Sequence, residues 1–326
     1  MIRFFKSPQP IALFFIPAII LIFWIQSASS MSPPINPSGM ILWNIIAAAF
    51  SHFPNWINFI FVVALVSFSA IYLNIICNKH EALYKNSYLP ALVFALFISA
   101  HPAFIAFHPI HFVNLILLRV LDKSFSLIKN NNITSAIFDS SFLAGLAALI
   151  YFPAVIIIPI MIISLTIIRQ FNIREWLILI IGFLLPFFFM SVWMLWGNNL
   201  MFFLKNYSER FKEIQPHLSV VATPKLLLLT SIFSLWLVMG LFKLRINYLK
   251  NVIRTRIVQQ ILFLFLLFIS ISFLLQREIA IIHFSFLVIP VSVFCAYYLL
   301  ANKKRSGLVE ITLWILIATI AANHFV

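Results

Sequence analysis

The chain has 326 residues, 63% of them apolar and only 9% charged, and so few charges cannot cover the surface of a soluble domain. Its formal net charge of +14 is not a nucleic-acid signature, because Lys and Arg fall in short clusters between apolar runs, as topology signals do. These figures predict an all-α, polytopic transmembrane protein whose single membrane domain covers 1–326, with membrane lipids around it and no nucleic-acid partner.

The first apolar run, 11–25, follows Arg3 and Lys6 and ends in SASS. It imitates a secretory signal, but many spans follow, so it reads as an uncleaved first helix. The segment 28–39 is rich in Ser and Pro, lacks Lys and Arg, and is assigned to the outside. Residues 40–50 are too few to span and predict a surface helix on the outer interface, with Trp43 and Trp56 at headgroup depth. Three spans follow at about 57–77, 88–100 and 109–121. NKHEALYKNS joins the first two inside, and HPAFIAFHPIH (101–111) joins the next two outside.

Between Asp139 and Arg169 there is no charged residue, and as one helix 141–168 would reach about 40 Å, beyond the roughly 30 Å of a bilayer core. Pro153 interrupts it, and basic residues flank it on both sides: Arg119, Lys123 and Lys129 before, Arg169 and Arg174 after. The sequence therefore predicts a hairpin of two short helices, about 141–152 and 154–168, turning at Tyr151–Pro153. Further spans are expected at 176–197 (kinked at Pro186), 225–242, 257–275, 279–300 and 308–324, with an outer surface helix at about 201–214. That surface helix is expected to place Phe202, Phe203 and Phe211 near one face.

The result is about eleven crossings in an inner (cytoplasmic) membrane, amino terminus in the cytoplasm and carboxy terminus in the periplasm. Of the 22 Lys and Arg, only Lys205, Arg210, Lys212, Lys225 and Arg277 then fall outside. Reading 141–168 as a single span would invert this bias for every later loop.

No P-loop, dinucleotide fingerprint, HExxH, GxSxG or CxxC occurs, so no cofactor is expected. No Asp or Glu lies in the middle of a span, which argues against a proton-coupled transporter. Histidine is asymmetric: His80 maps inside, while His52, His101, His108, His111, His217, His283 and His324 map to the outer half. His108 and His111 stand at i, i+3, but no Cys or acidic residue joins them, so no metal site is expected. Their plain reading is interfacial side chains with polar tips near water. The functional reading makes His52, His101, His108, His111 and His283, with Arg277 and Glu278 in an outer turn, a site for an anionic lipid headgroup or substrate phosphate.

FFKSPQPI (4–11), LYKNSYLPALVFALFIS (83–99), LRV…IFDSSFLAGLAALIYFP (118–153) and IQPHL (214–218) resemble an uncharacterised Bacteroidetes family of polytopic inner-membrane proteins, a domain of unknown function. The resemblance implies the inner-membrane location and no activity. The basic loop, the small-residue helix FLAGLAALIYFPAVIIIP and the late outer turn REIAIIHFSFLVIP (277–290) are also similar to the GT-C membrane glycosyltransferases. That likeness implies a polyprenyl-phosphate-linked sugar bound at the outer face. GT-C enzymes carry an acidic residue in their first outer loop, whereas 27–55 contain none. A GT-C-like protein that binds a lipid-linked phosphate or sugar is therefore favoured over an active transferase, and enzymatic activity stays open. The alternative is a non-catalytic membrane scaffold or assembly subunit that works with other membrane proteins.

Overall fold

The computed structural model describes residues 2–6, 10–28, 40–128, 133–212, 217–218, 224–276, 278–301 and 306–325. Within them the regular structure is helical, apart from a two-residue parallel pairing of His217–Leu218 with Glu278–Ile279. The helices are α1 (Ile2–Lys6), α2 (Ile11–Trp24), α3 (Ile41–Ser51), α4 (Asn55–Lys79), α5 (Leu89–Ile98), α6 (Pro109–Ser126) and α7 (Ile133–Ile150). They continue as α8 (Ile157–Ile168), α9 (Ile173–Trp196), α10 (Leu200–Lys212), α11 (Pro224–Asn247), α12 (Ile253–Ser272), α13 (Val288–Ala301) and α14 (Ser306–Phe325). Five segments are long and apolar enough to cross a membrane: Asn55–Lys79, Ile133–Ile150, Ile173–Trp196, Leu227–Lys250 and Ile253–Leu275. A helix suits such a sequence because it satisfies its own backbone where no water can.

The break in the long apolar run falls where Pro153 requires it. Tyr151 is extended (φ −147°, ψ 110°), and Phe152–Ile156 form a 3₁₀ turn that leads into α8. The boundaries differ from expectation at both ends of the turn. α7 starts at Ile133 rather than 141, because its polar residues are satisfied within the fold: Lys123 Nζ lies 2.8 Å from Asp139 Oδ2, and the Ser140 and Ser141 hydroxyls donate to Ala136 and Phe138 carbonyls. α8 starts at Ile157 rather than 154, since 152–156 wind more tightly.

Packing shows that the chain doubles back here. Gly182 of α9 lies against Phe138 and Ser141 of α7, Gly145 lies against Phe183 and Pro186, and Leu149 shares a cluster with Met190. Both helices therefore advance in the same direction side by side, and α8 must return the chain between them. Cysteines placed at Asn130, in the α6–α7 connection outside the described residues, and at Gln170 are expected to label from one side of the membrane. Labelling from opposite sides would overturn the hairpin. The native Cys77 and Cys295 are both buried and give little background.

Three further expectations are corrected. The single span at 279–300 divides into a 3₁₀ turn, Ile281–Phe286, and the 14-residue α13, whose first turn contains Pro290. Trp43, expected on the surface of an interfacial helix, is fully buried, its ring packed on Phe107 and Phe112, whereas Trp56 is exposed. On α10 the inward face is Phe203 and Tyr207, packed against each other and, through Tyr207, on Phe187 of α9. Phe202, about 100° further round the helix, points out, and the Phe211 side chain lies outside the described residues. At the centre, α5 has all ten residues buried, between α4 and α13.

Candidate functional site at the histidine-rich end

Two of the expected histidines stand before prolines, and that fixes their geometry. A residue preceding proline is driven out of the helical region. His101 (φ −139°, ψ 136°) and His108 (φ −125°, ψ 143°) are accordingly extended, and each ring folds back to cap the turn that follows. His101 Nδ1 accepts from the Ala103 N–H at 3.0 Å, and His108 Nδ1 accepts from the Ile110 N–H at 3.2 Å. Burial, and secondarily the neighbouring His324, lowers the His101 pKa below its ordinary value.

The densest contacts gather around His283. Its Nε2 lies 3.0 Å from Ser272 Oγ, and its Nδ1 lies 2.8 Å from Tyr151 Oη and 3.0 Å from Gln276 Nε2. Gln276 also donates to the Tyr151 hydroxyl. Phe273 meets the His283 ring edge-on, Phe286 stacks on it, and His108 packs against the Tyr151 ring at 5.7 Å. The cluster thus joins the start of α6, the α7–α8 turn, the end of α12 and the 3₁₀ turn before α13.

A line of Ser272, His283 and Tyr151 suggests an activated serine, but the proton assignment runs the other way. Ser272 Oγ donates to the Ile269 carbonyl at 2.6 Å, so toward His283 it accepts. That places the proton on Nε2 and leaves Nδ1 to accept from Tyr151 or Gln276. An imidazole with its proton on the serine side is not a base for that serine. Among the described residues the cluster holds no carboxylate, and no group of three His, Cys, Asp or Glu could hold a metal ion.

Of the residues the sequence nominated, the structure brings together His108 and His283, both buried. His111 lies one turn along α6, directed at the Phe104 carbonyl (3.0 Å) and facing the Trp24 ring. His52 is exposed at the end of α3 and takes no part in the cluster. Arg277 lies outside the described residues, and of Glu278 only the backbone is described, paired with His217. Sequence reasoning missed Tyr151, Ser272 and Gln276 as members. The available signal was that each is a polar group interrupting or closing an apolar run beside a turn.

The opposite end carries a second network. Asp122, with its side chain 7% exposed, receives Lys79 Nζ at 2.8 Å, His80 Nε2 at 2.7 Å, Tyr72 Oη at 3.1 Å and Arg119 Nη1 at 3.2 Å. Burial opposes its ionisation, but the hydrogen bonds from His80 and Lys79 outweigh burial and hold the carboxyl well below the usual carboxylate range. Arg254 links this network to α12, with Nη1 3.3 Å from Glu81 Oε1 and Nη2 3.5 Å from His80 Nδ1. No family model, curated protein or solved structure matches the chain.

Proposed function

We propose that this chain is a multi-pass inner-membrane protein acting as a non-catalytic scaffold or assembly subunit. About eleven crossings on a GT-C-like plan bring its basic end to the cytoplasm and its carboxy terminus to the periplasm. The observation that supports this reading is the self-contained character of the histidine cluster: Ser272, Tyr151, Gln276 and His283 bond one another, buried among Phe273 and Phe286. Such a knot clasps four segments at one end of the molecule and presents no free base to a substrate. Only 28% and 17% of the apolar 18-residue stretches within Ile173–Trp196 and Leu227–Lys250 are buried, leaving wide apolar faces for lipid and partner helices.

A second reading, a headgroup site for a polyprenyl-phosphate-linked substrate, draws support from the pairing of His217–Leu218 with Glu278–Ile279. That pairing sets the segment at His217 beside the two residues that follow Arg277 in sequence. The deciding experiment measures polyprenyl phosphate binding by the purified full-length chain beside the melting temperatures of Tyr151→Phe and Arg277→Ala. As a scaffold, Tyr151→Phe loses about 0.5–1.5 kcal/mol of stability with the Tyr151 hydrogen bonds, while His283 keeps Gln276 as its donor, and no polyprenyl phosphate binds. Saturable binding that is lost in Arg277→Ala, with unchanged melting, would replace the first reading by the second.

A further inference from the structure

The connection from α8 into α9 forms an open cleft of about 620 Å³, far from the histidine cluster. Arg169, Gln170, Phe171, Asn172, Ile173 and Glu175 line it. Arg169 Nη1 and Glu175 Oε1 face each other at 3.5 Å, the two side chains 38% and 13% exposed, so the cleft presents one cation and one anion side by side. The guanidinium has N–H donors to spare and the carboxylate has lone pairs to spare. Asn172 caps α9 through the Arg174 N–H at 3.1 Å, which holds the connection in register.

The same helix supplies an apolar track. Ile173, Leu177, Ile181, Leu184 and Phe188 are all exposed and recur at spacings of four, four, three and four, so they form one stripe that begins in the cleft and climbs α9. Beside its foot, Phe171 and Trp176 meet edge to face at 5.0 Å, a pair suited to headgroup depth. A polar cleft that carries both signs of charge and opens onto an apolar stripe has the chemistry of a phospholipid.

We propose that this cleft is a headgroup site for a zwitterionic aminophospholipid, with the phosphate at Arg169, the primary ammonium at Glu175 and an acyl chain along the α9 stripe. A purely anionic headgroup can also seat its phosphate at Arg169, but it brings no ammonium to Glu175. A choline headgroup carries the cation but has no N–H to donate to the Glu175 carboxylate or the Gln170 amide. The site lies at the other end of the molecule from the clasp and stands or falls independently of the scaffold reading.

The test is native mass spectrometry of the full-length chain after equilibration with phosphatidylethanolamine, phosphatidylcholine and phosphatidylglycerol in equal amounts. Phosphatidylethanolamine should be retained about tenfold over phosphatidylcholine, equivalent to about 1.4 kcal/mol, and over phosphatidylglycerol as well. Glu175→Gln should erase the preference while phospholipid is still retained, and Arg169→Ala should reduce retention of all three. Successive N-methylation of the ethanolamine should lower retention step by step on the unaltered protein, a readout that needs no variant to fold. Equal retention of the ethanolamine and choline lipids, a preference for phosphatidylglycerol, or an undiminished preference in Glu175→Gln would overturn the proposal.

Discussion

Asp122→Asn is expected to lower the stability of the purified protein by about 1–3 kcal/mol, the cost of depriving buried donors of their charged acceptor. The carboxylate is 7% exposed and His80 beside it is 2% exposed, while Lys79 and Arg119 are half in solvent. The asparagine keeps a single carbonyl oxygen, so it can accept from only one of His80 and Tyr72 and turns an N–H donor toward the other, which weakens the link from α4 to α6. It also loosens α12, which reaches the same network through Arg254. Arg119→Ala, by contrast, removes a half-exposed partner and should cost no more than about 1 kcal/mol. The pH dependence has a definite sign. The folded-state pKa of Asp122 is depressed below the 3.8 of an unperturbed carboxyl, so its contribution is complete above that value and is lost as pH falls below it. Melting temperatures across an acid series should converge for the two proteins as pH drops under about 4. Equal melting at neutral pH would show that the network is dispensable.

What the sequence made legible divides along physical lines. Long apolar runs with basic ends announced α4, α9, α11 and α12 to within a few residues, because hydropathy and the cost of an unsatisfied backbone act locally. Pro153 announced the turn at Tyr151 for the same reason. The partners of that turn were not legible. Tyr151 meets His283 across 132 positions, and Asp122 meets His80 across 42, and nothing in a single sequence encodes such distances. Trp43 reads as a surface aromatic because its apolar run is short, while its burial comes from Phe107, in a connection that hydropathy treats as exposed, and from Phe112 in the first turn of α6. The segment 281–286 was misread because apolar composition does not distinguish a 3₁₀ turn from the start of a span.

The close contact of α7 and α9 gives the other large effect, since it rests on the absence of a single carbon. A Cβ at Gly145 would collide with the Phe183 carbonyl oxygen and stand 3.0 Å from Pro186 Cγ. Both obstacles are stiff: one is backbone, the other a proline ring within the same helix. Gly145→Ala therefore has to part the two helices, and overpacking of this kind costs about 1–3 kcal/mol despite the gain in helix propensity. Gly182→Ala makes a useful contrast. Its nearest obstacle is the Ser141 hydroxyl, a rotor that can swing aside, with the Phe138 carbonyl next at 3.1 Å. The second substitution should be the milder of the two, and Ser141→Ala should recover part of its loss but none of the loss at Gly145. The parallel packing also makes α7 and α9 report on α8, because separating them frees the returning segment between them. Raised protease or cysteine-label accessibility at 169–172 in Gly145→Ala, absent in Gly182→Ala, would show that the hairpin is held in place by this contact. Equal melting of the alanine variant and the parent protein would mean that the helices are further apart than their glycines indicate.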